Sequence, residues 1–490
     1  MGSRAGARRQ WRWGAVVMLV TAGLLVAGCA GQEVSGSAQP TGDIDPGNVA
    51  GLPVTTGASG LKPGVATANL TVQNGDGGAM DKLAVDSLSD IFQFWSTAMP
   101  QDFGKQFTPV KKLVSYESNG PNVKVCGGED SQGVENAFYC PVDDSVSWDR
   151  GTLLPMLNQA FGPIAVATVF AHEMGHAVQF RLGSVNQATP TIVKEQQADC
   201  YAGAFMRWVA EGNAPHLQLS TGPGLNAILA TMIFIRDPVG SVSADTQAHG
   251  DAFDRVTAFQ FGFASGPVRC NKINYKEVQD RITELGFTDT SKSDNNNVPV
   301  DDQTVQLLQQ SLDAAFKANT KTPPKITSGG GSCTSGTSTP PTSFCPSDDT
   351  INIDVGALNK IAQLPANDTL GVNGTSLGDF AAFAEIASRY ALAVQKALGI
   401  STTDANAGLR TACLTGAWAG VARHRFADGP QQQLLIGPGD LDEAVAELLG
   451  AHSLIAADAN GSQVPAGFAR VESFQIGFLQ GSNACTTKFS

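Results

Sequence analysis

The sequence predicts a mostly helical α+β fold in which one domain occurs twice. Apolar residues recur at helical spacing over long segments, and shorter segments alternate between apolar and polar residues as strands do. Four blocks of the first half also recur, in the same order, in the second half, which is typical of a tandem duplication. We therefore expect two domains, 80–286 and 303–490, joined by a polar linker at 287–302.

The elements of the first domain follow from its periodicity. Helices are expected at 80–99, 153–181, 193–211, 225–235 and 252–264. Strands are expected at 112–117 and 123–126, with a further pair around 141–144. The pair Gly162-Pro163 should interrupt the second of these helices. The domain is therefore predicted to be mainly helical, with a small sheet.

The second helix carries the motif His172-Glu173-Met174-Gly175-His176, and Glu195 follows nineteen residues later. Residues four apart share a helix face, so His172 and His176 can bind one divalent metal with Glu173 beside them as a general base. Glu195 can supply a third ligand, which leaves the fourth position of a zinc ion open to water, as in catalytic sites. Asp199 shares a face with Glu195 and can accept a hydrogen bond from a ligand imidazole. The sequence therefore predicts a metal-dependent hydrolase.

These segments resemble a known family. AHEMGHAVQ, EQQADCYAGAF, the upstream FYCPVDD and the stretch from His249-Gly250 through Asp254-Arg255-Val256 to Cys270-Asn271 are similar to the predicted neutral zinc metallopeptidases of bacteria, and more narrowly to mycobacterial lipoprotein peptidases. The resemblance runs from about Cys126 to Asn271. It implies a zincin-like fold, one zinc ion per chain, and hydrolysis of peptide bonds in a protein or peptide substrate.

A donor to the developing oxyanion is also expected, because charge in a dry site is best stabilised by a preorganised group. His249 is the candidate, since it lies in a Gly-containing loop before a helix, where the resemblance also places a histidine. Tyr201 could act in the same way, but its place on a helix is more typical of the core. His249 could instead be an exposed or cap-forming loop residue.

The second domain is predicted to lack the metal site. The matched blocks are Phe344-Cys345-Pro346 with Tyr139-Cys140-Pro141, Ala393-Val394-Gln395 with Ala177-Val178-Gln179, Gly416-Ala417 with Gly203-Ala204, and Arg470-Val471 with Arg255-Val256. In this alignment His172, Glu173 and His176 fall opposite Ser388, Arg389 and Leu392, Glu195 and Asp199 fall opposite Gly408 and Ala412, and His249 falls opposite Val464. The second copy should fold like the first, bind no zinc and be non-catalytic, unless two unrelated helical segments have been aligned through Ala and Gly.

Cysteine spacing supports the same division. The chain has nine cysteines, of which Cys29 is the predicted lipidation site described below, so eight remain, four in each copy. An even number of cysteines in an exported chain is typical of structural disulfides. If the copies fold alike, the pairs expected from their similar loop lengths are Cys126 with Cys140, Cys200 with Cys270, Cys333 with Cys345, and Cys413 with Cys485.

The N-terminus predicts export and a lipid anchor. An arginine-rich start and the apolar run 15–26 form a signal peptide over 1–28, and Val26-Ala27-Gly28-Cys29 resembles a bacterial lipobox. Cys29 would then be acylated, and 29–79, rich in Gly, Ser, Thr and Pro, would be a flexible tether on the outer face of the cell membrane. An ordinary secretory peptide with an incidental cysteine is the alternative.

Two further functions are compatible with the sequence. The chain could be a binding or assembly lipoprotein of the cell envelope built on a peptidase scaffold, or the metal site could hydrolyse another amide, such as one of the cell wall. A formal net charge of −13 argues against nucleic acid as a partner. We also expect the second copy to contact the catalytic domain, where it would shape access to the cleft, or to contact a protein partner.

Overall fold

Helices form about half of the residues that the computed structural model describes, and the remaining regular structure is a set of small sheets. The described residues are 44–238, 249–281, 297–365, 375–424, 433–437 and 439–490. All of them belong to one compact unit with an α+β fold. The signal peptide, Cys29 and most of the predicted linker lie outside the described residues.

The first half contains eight described helices and nine short strands. The helices are α1 (Ala79–Phe103), α2 (Leu153–Phe161), α3 (Pro163–Leu182), α4 (Thr191–Ala210), α5 (Pro223–Phe234), α6 (Ala252–Ser265), α7 (Pro267–Cys270) and α8 (Tyr275–Arg281). The strands are β1 (Asn48–Val49), β2 (Leu52–Pro53), β3 (Gly60–Leu61), β4 (Lys112–Tyr116), β5 (Lys124–Val125), β6 (Glu129–Asp130), β7 (Ala137–Cys140), β8 (Ser145–Asp149) and β9 (Leu217–Gln218). The break at Gly162 is confirmed, because α2 ends there and α3 begins at Pro163.

The second half has a similar order of elements. Its described elements are α9 (Asp302–Ala315), β10 (Lys325–Thr327), β11 (Thr342–Cys345), β12 (Thr350–Ile353), α10 (Val355–Ile361), α11 (Asp379–Ala397), α12 (Ala407–Ala422), α13 (Asp440–Leu449), α14 (Gly467–Gln480) and α15 (Ser482–Lys488).

Each half contains a three-stranded sheet of the same topology. In the first half the strand order is β4-β8-β7, with β4 parallel and β7 antiparallel to the central β8. In the second half the order is β10-β12-β11, with β10 parallel and β11 antiparallel to β12. In both sheets the antiparallel pair is joined by a tight turn that follows the cysteine of the first strand.

Two helix pairs pack so closely that only glycine fits between them. A Cβ atom at any of four helical glycines would overlap a backbone carbonyl of the partner helix. The overlaps are Gly203 with Phe259 O and Gly262 with Cys200 O between α4 and α6, and Gly416 with Phe474 O and Gly477 with Cys413 O between α12 and α14. The α4–α6 contact fixes the helix that carries Glu195 against the helix that follows His249.

Four disulfides reinforce this arrangement, and they are the pairs that the cysteine spacing predicted. The short loops are closed by Cys126–Cys140 and Cys333–Cys345, with sequence separations of 14 and 12. The long loops are closed by Cys200–Cys270 and Cys413–Cys485, with separations of 70 and 72.

The predicted tether is wrong for residues 44–79. Strand β3 pairs with β9, Thr55 N donates to Thr221 Oγ1 at 2.9 Å, and Ser59 Oγ lies 3.1 Å from Ser220 Oγ. Small polar side chains suggested a solvated segment, yet here they bond to a distant part of the chain. The folded region therefore begins before residue 79, and 29–43 lies outside the described residues.

The two halves share an interface formed by α5 and α6 with α13 and α14. The ring of Phe253 lies 5.4 Å from that of Phe478, and Gln475 Nε2 donates to Thr257 Oγ1 at 2.7 Å. Within the described part of the chain, no helix is both long enough and apolar enough to cross a membrane.

Candidate metal centre

Helices α3 and α4 bring the predicted ligands together. The α3 helix is buried along most of its length, and His172 and His176 lie one turn apart on it. A Cβ atom at Gly175 would lie 2.9 Å from Ala198 Cα, so the glycine of the motif allows α4 to approach closely. That approach places Glu195, near the start of α4, opposite both histidines.

Ligand atoms of His172, His176 and Glu195 all lie within 4.8 Å of one another. His172 Nε2 is 3.2 Å from Glu195 Oε2, and His176 Nε2 is 3.5 Å from Glu195 Oε1. The buried Glu195 Oε2 makes no hydrogen bond of acceptable geometry with any described residue. Three ligand atoms that lie this close together can bind one metal ion, and two imidazoles with one carboxylate are ligands typical of catalytic zinc.

Asp199 orients one of the ligands. Its Oδ1 lies 2.7 Å from Nδ1 of His172, so the neutral ring can donate from Nδ1 and keep Nε2 as an acceptor for metal. Arg255 Nη2, from the first turn of α6, donates to the same oxygen at 2.9 Å. Arg255 Nη1 donates to Ile235 O at 2.9 Å, which ties this contact to the segment after α5.

A glutamine pair orients the other imidazole. His176 Nδ1 lies 3.2 Å from Gln179 Oε1, three residues later on α3. Gln179 Nε2 donates to Gln197 Oε1 at 3.1 Å and to Lys194 O at 2.7 Å, so the support of His176 also comes from α4.

The electrostatics of the centre favour a bound cation. Burial lowers the pKa of His172, but the charge and hydrogen bond of Asp199, with Glu195, outweigh burial and raise it to about 10. The pKa of His176 is also raised, by Glu195 against the opposing effect of burial. Burial alone would raise the pKa of Glu195, yet the two imidazoles hold it well below its usual value. Because His172, His176 and Glu195 stabilise positive charge in this way, a divalent ion that binds here would displace protons from the imidazoles.

Glu173 is held by the edge strand of the first sheet. Its Oε2 accepts a hydrogen bond of 2.9 Å from the backbone N–H of Tyr139 in β7. It lines a cleft of about 500 Å³ together with the three predicted ligands, residues of β7 and α2, and the segments around 235–237 and 249–255. The predicted base therefore lies in the same cleft as the predicted metal ligands.

His249 also lines this cleft. Its Nδ1 lies 3.1 Å from Asp237 Oδ1, and its backbone N–H and that of Gly250 donate to Asp237 Oδ2 at 2.6 and 2.9 Å. The side chain is 51% exposed, so the ring remains accessible from the cleft. The hydrogen bond with Asp237 raises the pKa of His249, which favours a ring that donates.

Tyr201 and His216 do not line the cleft. Tyr201 is fully buried, with its ring edge-on to Trp95 at 5.3 Å. His216 bonds through Nδ1 to Asp90 Oδ1 at 2.6 Å, far along the chain from the motif, and has a structural role.

The residues of the second half that align with the predicted metal centre make other contacts. Arg389 donates from its guanidinium to the backbone carbonyls of Asp458, Leu454 and Ala457, and Ser388 Oγ donates to Glu385 O. A separate group of buried carboxylates lies elsewhere in this half, formed by Asp379, Asp440 and Glu443. An all-oxygen group of this kind differs from the His-containing centre of the first half.

Sequence reasoning missed three supports of the centre, namely Arg255, Gln179 and Asp237. Gln179 could have been found, because it lies three residues after His176 on the same helix face. Arg255 and Asp237 reach the centre only through the packing of α5 and α6, which no local pattern encodes.

Comparison with known proteins agrees with this geometry. Residues 43–273 match the family described as "Putative neutral zinc metallopeptidase". The resemblance that the sequence indicated is therefore confirmed for that segment, which is similar to this zinc peptidase family.

Several curated proteins that resemble this chain are themselves described as uncharacterized. The chain is 34% identical over 181 residues to the protein YpfJ of Escherichia coli K12, covering 33% of this chain and 60% of that protein. It is 29% identical over 163 residues to a protein of Mycobacterium tuberculosis H37Rv and to one of Mycobacterium bovis, covering 29% of this chain and 55% of each. The chain thus spans somewhat over half the length of these relatives. No solved structure matches the chain significantly.

Proposed function

We propose that this protein is a zinc metalloendopeptidase, proceeding from the match of residues 43–273 to a family of zinc metallopeptidases. The observation that carries the proposal is the convergence of His172, His176 and Glu195 in one cleft with Glu173. A general base beside three protein ligands of a zinc ion is the arrangement needed for metal-assisted hydrolysis of an amide.

The residues would divide the work as follows. His172 Nε2, His176 Nε2 and the Glu195 carboxylate would hold zinc, which when bound lowers the pKa of water and polarises a carbonyl. Glu173 takes the proton from the attacking water and passes it to the leaving amine. The Tyr139 N–H holds Oε2 of Glu173, which leaves Oε1 as the oxygen that moves the proton.

His249 would donate a hydrogen bond to the oxygen of the scissile carbonyl as negative charge develops there. Its place in the cleft and its attachment to Asp237 support this role, because a donor that is already oriented costs no reorganisation during the reaction.

For the second half we propose a tandem duplication that has lost the metal site. The proposal is supported by the shared strand order, the paired glycines of α4–α6 and α12–α14, and disulfides of similar separation. This half would be non-catalytic, because Ser388, Arg389 and Leu392 replace the HExxH residues.

We further propose that the chain is exported and anchored by lipid at Cys29 to the outer face of the bacterial cell membrane. The lipobox-like segment supports this, and four disulfides are typical of an oxidising compartment.

The test is the zinc content of the purified full chain, followed by cleavage of fluorescently labelled casein. We expect one zinc per chain, lost in His176→Ala and Glu195→Ala, whereas Glu173→Gln should keep the metal and lose cleavage. Asp199→Asn should weaken zinc binding by about 10- to 100-fold, because the support of His172 is impaired. Asp237→Asn is the matched control, since Asp237 contacts His249 and not a ligand.

A folded chain without zinc would contradict the proposal and favour an envelope binding or assembly lipoprotein on a peptidase scaffold. Two zinc ions per chain would contradict the loss of metal binding in the second half. Retention of zinc by Glu195→Ala would show that a different residue is the third ligand.

A further inference from the structure

An acidic residue of the second half contacts a residue that lines the predicted metal cleft of the first half. Asp442 lies in the first turn of α13 and is only 3% exposed. Its Oδ2 is 2.9 Å from Nε of Arg236, which lines the cleft. Both side chains are at least nine-tenths buried, so solvent screens this ion pair weakly.

The other oxygen of Asp442 caps the helix that supports the centre. Oδ1 accepts hydrogen bonds from the backbone N–H groups of Ala252 at 2.8 Å and Phe253 at 3.3 Å, which are the first residues of α6. These N–H groups have no partner within their own helix, and a carboxylate at a helix N-terminus is favourable. The α6 N-terminus thus uses its own Asp251 and a carboxylate from the second half.

The two contacts of Asp442 hold the two segments that position Arg255. Arg236 follows Ile235, whose carbonyl holds Arg255 Nη1. Ala252 begins the helix on which Arg255 lies. The same guanidinium then holds Asp199, which orients His172.

We infer that Asp442 is a positioning residue of the metal cleft. It fixes the segment 235–237 and the first turn of α6, and through Arg255 and Asp199 it fixes the orientation of a metal ligand. The inference rests on the proposed peptidase function for its kinetic consequence, but not for its structural one. It gives the second half a defined task, which is to hold in place the residues of the first half that line the cleft.

The experiment compares three variants of the full chain. Asp442→Ala removes both contacts. Asp442→Asn keeps an acceptor of the same shape for the α6 amides but removes the charge that pairs with Arg236. Glu443→Gln is the matched control, because Glu443 is the next residue of α13, is equally buried, and accepts its hydrogen bond from Phe380 N in the second half.

The first readout is amide hydrogen exchange at residues 252 and 253. Asp442→Ala should raise exchange there at least tenfold, whereas Asp442→Asn and Glu443→Gln should leave it near the original rate. The second readout is the KM for labelled casein at pH 8.5, which is above the folded pKa of Asp442 of about 7. The KM should rise about tenfold in both Asp442 variants and stay unchanged in Glu443→Gln, with zinc content retained in all three. A general loss of folded protein would lower kcat without raising KM.

Unchanged exchange in Asp442→Ala would overturn the inference, and so would a KM in Asp442→Asn equal to that of Glu443→Gln. If the original chain neither binds zinc nor cleaves casein, the proposed function fails while the exchange measurement still decides the role of Asp442. If the chain is an active zinc peptidase and neither readout responds to Asp442, the proposed function stands and this inference fails.

Discussion

His249 is held differently from the other polar residues of the cleft. The predicted metal ligands lie on helices and are buried or half-buried, whereas the side chain of His249 is half exposed. His249 and Gly250 together make three hydrogen bonds to one carboxylate, Asp237. This attachment orients the ring without occupying Nε2. Because the same hydrogen bond raises the pKa of the imidazole, the ring is suited to donate to an oxygen that gains negative charge.

Replacing His249 should therefore affect the chemical step more than binding. We expect His249→Ala to lower kcat by about 100-fold with little change in KM, because one oxyanion donor is lost. Steady-state kinetics together with zinc analysis would measure this, and the metal content should not change. Tyr201→Phe is the matched control, since the buried Tyr201 ring packs against Trp95; a larger loss in Tyr201→Phe than in His249→Ala would reverse the assignment.

Among individual residues, the sequence predicted those whose arrangement depends only on nearby residues of the chain. His172 and His176 could be placed on one helix face because their spacing alone defines it. Arg255 could not be connected to Asp199, because 56 residues separate them and their contact depends on how α6 packs against α4. The Asp237–His249 contact was missed for the same reason.

Among the helices, the packing of α4 against α6 leaves no room for larger residues at its glycines, as does the packing of α12 against α14. Gly203 and Gly262 face backbone carbonyls across the contact, so a side chain at either position would force the two helices apart. Helix α4 carries Asp199 and the predicted ligand Glu195, and α6 carries Arg255. The contact between the helices therefore sets the position of Arg255 relative to both carboxylates.

An alanine at Gly262 should strain this contact. We expect Gly262→Ala to reduce the free energy of unfolding by about 3 kcal/mol, because the added methyl group overlaps Cys200 O in a packed core. Gly356→Ala is the control: Gly356 is an exposed helical glycine with room for a Cβ, so alanine there should be neutral or stabilise by about 1 kcal/mol. Denaturant unfolding measures both, and equal effects would contradict the close-packing argument.

Element positions were predictable where periodicity was long and apolar. The five helices predicted for the first domain are present, with ends that differ by a few residues, because buried faces produce a clear helical repeat. Residues 44–79 were misjudged, since strands such as β3 have only two residues and depend on a distant partner, β9. Their composition resembles that of a linker although their backbone is paired.

Across the whole molecule, the second half differs from the first in its buried acids. Burial raises the pKa of Asp379 to about 6, that of Asp442 to about 7 and that of Glu472 to about 8. Asp251 adds to the rise at Asp442. In the unfolded chain these groups would have pKa values of about 4. The folded state therefore binds more protons than the unfolded state between about pH 4 and pH 8.

Stability should consequently fall as the pH rises through this window. The contribution of each acid is fully present below about pH 4 and is lost as the pH passes its folded pKa, so unfolding should occur at a lower temperature at pH 8.5 than at pH 5.5. Calorimetry of the full chain measures this difference, and Glu472→Gln should reduce it by removing one titrating group. A melting temperature that increases from pH 5.5 to pH 8.5 would contradict the prediction.

The disulfide Cys200–Cys270 adds a condition on when the centre can be assembled. Cys200 directly follows Asp199, and its bond joins α4 to the end of α7, across the contact that aligns the ligand supports. In a reducing compartment this bond does not persist, and α4 is then held only by its packing. The covalent state of Cys200 thus affects how firmly Asp199 is held. We expect a chain that has folded under reducing conditions to bind metal less tightly than one in which this disulfide has formed.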